Sequence, residues 1–177
     1  NPNIILSKPQ LGENIGSTAR AMKNFGVKNL LLVKPRDGWP NNSAFATAAG
    51  ADDVLNQAKL YDSISEATKT ISLLFATTAR KRVVGTKSLS IFKAIEKSFE
   101  HVVNGGNVGF LFGPEQSGLS NDDVVQADYT VSIPINKEFS SLNISQAVLL
   151  ICWEWNKIKM SFFNDDKNLV KINKKLK

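Results

Sequence analysis

Short apolar runs alternate along this chain with segments of helical period, and that alternation restricts it to an α/β architecture. Segments 4–6, 29–33, 71–76, 108–112 and 129–133 read as buried strands. Between the first two, Ile15, Ala19, Met22 and Phe25 recur at spacings of three and four, which marks one helix face. Gly26 directly after them suits a left-handed C-terminal cap. The small-residue stretch 43–50 predicts a short helix, and Ser63 with Glu66 has capping-box spacing for another. A longer helix is expected from Ser90 to about Val103, ended by Gly105 and Gly106. A short one starts near Ser120, with Asp122 and Asp123 in its first turn, and the final long one near Asn143. Strands that are apolar throughout, separated by helices, imply a mostly parallel sheet with helices on both faces. The polar segment 164–168 reads as a linker, dividing a domain over 1–160 from a basic tail, or the start of a helical extension, at 161–177.

Composition excludes several classes. Cys152 is the single cysteine and His101 the single histidine, so the chain has no internal disulfide and no zinc site of several Cys or His ligands. No metal is expected. No apolar run nears the roughly 20 residues of a membrane span, and the expected compartment is the cytoplasm. The net charge is +6, and 7 basic against 3 acidic residues after Leu149 supply +4 of it. That excess suits either a polyanionic partner such as nucleic acid or simple solubility.

In an open parallel sheet, ligands gather at the C-terminal ends of the strands. Loops 77–82, 113–118 and 134–143 leave such ends and are rich in small and polar residues, which let backbone approach a ligand. No G-x-G-x-x-G follows the first strand, no G-x-x-x-x-G-K-[ST] occurs, and no G-x-S-x-G elbow is present. A standard dinucleotide site and a P-loop NTPase are thereby disfavoured.

The run NIGSTARAMKNFG at 14–26 resembles the first motif of the TrmH/SpoU family of RNA ribose methyltransferases. FGPEQSGL at 112–119 resembles the second, and IPI at 133–135 with SSLNISQA at 140–147 resembles the third. The three stand in the family's order. AAGADDV at 48–54 and TTARKR at 77–82 are similar to the TrmJ-type tRNA branch. The resemblance implies a SPOUT fold with a C-terminal trefoil knot, a homodimer, S-adenosylmethionine as methyl donor, and a tRNA or rRNA ribose 2′-hydroxyl as acceptor. An RNA-binding protein of this fold without turnover, or a base methyltransferase, are the alternatives.

Residue by residue, the resemblance implies donor contacts from Thr77, Thr78, Ala79, Gly113, Ile133, Ser140, Ser141 and Leu142. Arg20 is the catalytic candidate. A ribose hydroxyl is a poor nucleophile, and a guanidinium is effectively always protonated, so positional and electrostatic help is the preferred role, with proton removal left open. Asn14 either orients Arg20 or the ribose, or caps the following helix. Glu115 either orders its loop or touches substrate. Ser141 and Asn143 match polar motif positions, Asn143 otherwise serving as a helix cap. Arg80, Lys81 and Arg82 are placed to grip RNA phosphates, which position a substrate without specifying its sequence. His101 is expected to be structural and Cys152 to lie in the core, with Trp153 and Trp155 at a core or dimer surface. TrmJ-type proteins continue into a helical extension, whereas here the chain reaches Lys171, Lys174, Lys175 and Lys177.

Overall fold

The computed structural model describes residues 1–78, 87–136, 138–139 and 141–175, the side chains of 164–175 excepted. In chain order the elements are β1 (Asn3–Ser7), α1 (Gly12–Asn24), β2 (Asn29–Val33), α2 (Asn42–Ala48), α3 (Asp52–Asn56), β3 (Lys59–Tyr61) and α4 (Ile64–Ala67). Then follow β4 (Leu73–Thr77), β5 (Lys87–Ser90), α5 (Ile91–Val103), β6 (Val108–Phe112), α6 (Asn121–Val124), β7 (Tyr129–Ser132) and α7 (Ile144–Lys175). The strands form one sheet in the order β3-β2-β1-β6-β4-β7-β5, and every pairing among the described residues is parallel.

Strand side chains alternate between faces, so each apolar run feeds two cores. Ile4, Leu6, Leu30, Leu32, Phe75 and Phe110 pack on one side, under helices α1, α2, α3, α5 and α7. Ile5, Leu31, Val33, Leu74, Ala76 and Leu111 pack on the other, covered by Ile64 and Ala67 of α4 and Val124 of α6. Both faces carry helices, but unequally: the long ones share one side. At the centre, Phe75 stacks on Phe110 at 5.1 Å and on Tyr129 at 5.7 Å, each its register partner on the adjoining strand. This aromatic row helps hold β6, β4 and β7 side by side.

Helix ends follow their sequence signals. Gly26 has φ +67, its N–H donates to Lys23 O and that of Val27 to Met22 O, closing a Schellman motif whose Met22 and Val27 are both buried. Ser120 and Asp123 form a complete capping box on α6. At α4 the box is half made: Ser63 Oγ accepts from Glu66 N, while the Glu66 carboxylate accepts from Asp62 N instead of Ser63 N.

Four elements differ from the sequence expectation. Strands β3 and β5 and helix α3 were not expected. The two strands are largely exposed sheet edges, so they carry none of the apolar pattern that marks a covered strand. Helix α7 runs unbroken to Lys175, so segment 164–168 is helical rather than a linker. No helix among the described residues is long and apolar enough to cross a membrane.

Candidate active site

Because β6, β4 and β7 are neighbours, their C-terminal loops emerge together. Thr77 Oγ1 donates to Leu111 O at 2.9 Å and Thr78 N to Val131 O at 3.0 Å, pinning the β4 exit between both neighbours. After β6 the chain turns back on itself: Gly118 N donates to Pro114 O at 2.8 Å, with Gly118 at φ +67. A Cβ on Gly113 would lie 2.9 Å from Gly118 O and closer still to the Gly118 and Leu119 backbone. Only glycine fits there. After β7, Asn136 Oδ1 accepts from Glu138 N at 3.0 Å, and Ser141 and Leu142 lead into α7.

These loops enclose a cavity of about 310 Å³, within the range of small-ligand sites. Of the residues expected to hold a donor, Thr77, Thr78, Gly113, Ile133, Ser141 and Leu142 line it. Ala79 and Ser140 lie outside the described residues, as do Arg80, Lys81 and Arg82. Sequence reasoning did not single out Phe112, Leu119, Ile135, Ile144 and Ala147, which supply apolar wall. They sit inside the motif runs, but their types suit ordinary core equally well. Apolar walls with backbone groups at the loops suit a flat, largely uncharged ring system.

At the cavity wall, three motif residues form one chain of hydrogen bonds, and one of them, Glu115, lines the cavity itself. Glu115 Oε1 accepts from Asn14 Nδ2 at 2.7 Å, and Asn14 Oδ1 accepts from Asn143 Nδ2 at 2.9 Å. Asn143 Oδ1 in turn accepts from Ser145 N and Oγ at the start of α7. The Glu115 carboxylate also accepts from Gln10 N at 2.8 Å and Leu11 N at 3.4 Å. Leu11, the residue before α1, offers no side-chain cap, so an acidic group from another loop orders this helix entry. Asn14 lies within α1 and caps nothing. Its amide is committed to Glu115 and Asn143, not to Arg20. Asn143 both caps α7 and joins the network.

Arg20 is not part of this cluster. It is exposed on the α1 stripe that also carries Glu13 and Asn24, does not line the cavity, and makes no hydrogen bond or ion pair among the described residues. His101 Nε2 lies 2.7 Å from Ser72 Oγ, far along the sheet, at the end where β4 begins. Cys152 is fully buried, and desolvation pushes its thiol up to about 12, so it stays protonated and inert. Trp155 is buried and Trp153 is 45% exposed, edge-on to Phe25 at 5.7 Å. Among the described residues no cluster of His, Cys, Asp or Glu suits a metal ion.

Comparison with known proteins agrees with this architecture. The SpoU rRNA Methylase family model matches residues 1–153. The chain is 38% identical over 151 residues to tRNA (cytidine/uridine/adenosine-2′-O-)-methyltransferase TrmJ of Pseudomonas aeruginosa, covering 85% of this chain and 58% of that protein. It is 34% identical over 174 residues to an uncharacterized tRNA/rRNA methyltransferase of Haemophilus influenzae, covering 97% and 69%. The crystal structure of TrmJ from Z. mobilis ZM4 superimposes with a TM-score of 0.84 at 50% identity, covering 89% of this chain and 69% of that one. The chain spans about three fifths of the length of the TrmJ proteins from P. aeruginosa and Sodalis glossinidius (58% and 60%). A family match over nearly the whole described domain, on a sheet that brings all three motifs to one edge, shows that the chain belongs to the SpoU rRNA methylase family.

Proposed function

We propose that this chain is an S-adenosylmethionine-dependent RNA methyltransferase acting on a ribose 2′-hydroxyl, with tRNA as substrate. The observation that carries the reading is the convergence of three sequence motifs on one cavity and its adjoining Asn14–Glu115–Asn143 network. The names of the TrmJ relatives, all tRNA 2′-O-methyltransferases, support the choice of acceptor. Membership of the family also supports the trefoil-knotted threading of the C-terminal part and a cytoplasmic setting.

S-adenosylmethionine bound in the cavity supplies an electrophilic methyl group. The chain's own residues bind, orient and stabilise charge. Thr77, Thr78, Gly113, Ile133, Ser141 and Leu142, with Ala79 and Ser140, hold the donor through backbone groups and apolar contact. Glu115, Asn14 and Asn143 keep the loops of the three motifs in fixed relation. Arg20 orients the RNA and stabilises negative charge developing on the ribose oxygen. Arg80, Lys81 and Arg82 hold phosphates, and the basic segment 161–177 adds to that attraction.

The test is incubation of the protein with an unmodified tRNA transcript and labelled S-adenosylmethionine, followed by nucleoside mass spectrometry. A 2′-O-methylated nucleoside is the expected product. A base-methylated product would replace the reading with a base methyltransferase, and RNA binding without product would make the chain a binding module. Donor binding has its own check: Gly113→Ala sets a methyl group against the Gly118–Leu119 backbone, so calorimetric affinity should fall by about 100-fold or more. Unchanged affinity would remove the donor from this cavity.

A homodimer belongs to the same proposal. Leu149 (37% exposed), Trp153 and Met160 recur along the outer stripe of α7, beside α1, and offer apolar surface for a second copy. Light scattering should report a dimer at micromolar concentration, and Trp153→Glu should shift it to monomer. A wild-type monomer would refute the dimer.

A further inference from the structure

The sheet edge that carries the cavity continues onto two strands whose exits no motif accounts for. In the order β2-β1-β6-β4-β7, the last three strands end at the cavity, and the first two end at Lys34 and Lys8. Ser7 is the register partner of Val33, so the two lysines leave adjacent strands at the same level, roughly 5 Å apart at their Cα atoms. Lys8 N donates to Val33 O and Lys34 N to Tyr61 O, which prolongs the sheet's bonding through both residues.

Their backbone is unusual. Only three non-glycine residues among those described have positive φ: Ala49, which ends α2, and Lys8 (φ 49) and Lys34 (φ 44). Lysine has no short polar side chain to compensate this conformation locally, so each costs free energy that glycine or asparagine would avoid. Both side chains are exposed, and neither makes a hydrogen bond or ion pair among the described residues. Two like charges on neighbouring strands repel each other as well. Solubility alone requires neither the adjacency nor the strain. An anion seated between them offsets the repulsion that their adjacency brings.

We propose that Lys8 and Lys34 form a phosphate rest for the RNA strand, next to the methyl-transfer site. The assignment rests on the reading of the chain as an RNA methyltransferase. Two ties couple the rest to the site. Gln10 N donates to Glu115 Oε2 at 2.8 Å, so the β1 exit loop is held by the motif network. Arg36 N donates to Pro9 O at 3.0 Å, so the β2 exit loop is held by the β1 exit loop. A strand whose ribose lies at the cavity mouth then has a flanking phosphate over Lys8 and Lys34. The neighbouring Arg36 is engaged by Asp37 at 2.8 Å and contributes less.

The experiment compares wild type with the double variants Lys8→Gly/Lys34→Gly and Lys8→Glu/Lys34→Glu. An unmodified tRNA transcript is titrated between about 50 and 200 mM salt, with thermal melting and S-adenosylmethionine calorimetry alongside. The glycine pair relieves the strained backbone, so its melting temperature should equal or exceed wild type. Its RNA affinity at low salt should fall about tenfold, and the slope of log K against log salt should flatten by about 1.5, with donor affinity unchanged. The glutamate pair should bind RNA more weakly still. An RNA affinity and slope equal to wild type in the glycine pair would overturn this assignment alone. A weaker affinity with an unchanged slope would overturn the phosphate contact. Failure of the wild-type protein to bind tRNA at any salt would overturn the underlying reading together with it.

Discussion

Arg20→Ala should lower the single-turnover rate of methyl transfer by roughly 10²–10³-fold while donor affinity stays at the wild-type value. The guanidinium stands exposed on α1 with no protein partner among the described residues, so its five donors are available to RNA. Removing it leaves the cavity lining unchanged, because Arg20 is not part of it and makes no hydrogen bond or ion pair with the described residues that are. The loss therefore belongs to the transition state, about 3–4 kcal/mol for a contact to developing charge. Arg20→Lys keeps the charge but loses the planar fork, and recovers little if two-point contact matters. Single-turnover assays at saturating donor, with calorimetry on each variant, supply the measurement. A wild-type rate in Arg20→Ala would end the catalytic assignment.

Glu115→Ala should damage both stability and rate. The carboxylate accepts from Gln10 N, Leu11 N and Asn14 Nδ2, and Asn14 is only 8% exposed. Removing the acceptor strands these donors in a half-buried position, which costs about 2 kcal/mol and lowers Tm by about 4–8 °C. Freed from Glu115, Asn14 and Asn143 lose their fixed relation to the cavity, and turnover should drop roughly 10–100-fold. Glu115→Gln keeps one carbonyl acceptor and should show a smaller fall in both quantities. Thermal melting and single-turnover rates read the two effects separately. A Tm and rate both equal to wild type in Glu115→Ala would show that the network does not organise the site.

Much of the fold was legible because it is written locally. The i, i+3, i+4 recurrence of Ile15, Ala19 and Met22 marks α1, and the all-apolar character of Val108–Phe112 marks a strand covered on both faces. Edge strands β3 and β5 were not legible: half exposed, they need no apolar pattern to hold their place. The polar residues at 164–168 read as a linker in the sequence, yet helix α7 continues through them, since polar composition by itself does not end a helix.

The same division runs through the site. The chain's residues alone determined the α/β class, the strand-exit loops and the three motifs whose order marks the family. Which motif residues touch was decided only in three dimensions. Asn14 meets Glu115 across 101 residues and Asn143 across 129, and neither spacing leaves a trace in local periodicity. Asn14 and Arg20, six apart in one motif, lie on different sides of α1, Asn14 buried and Arg20 exposed, which motif spacing alone does not reveal. The paired lysines at the β1 and β2 exits likewise became visible only once strand order and register placed them side by side. Local pattern selects elements because backbone sterics and burial act over a few residues. Contacts between elements depend on which strands pair, and that choice is made by the packing of the whole sheet.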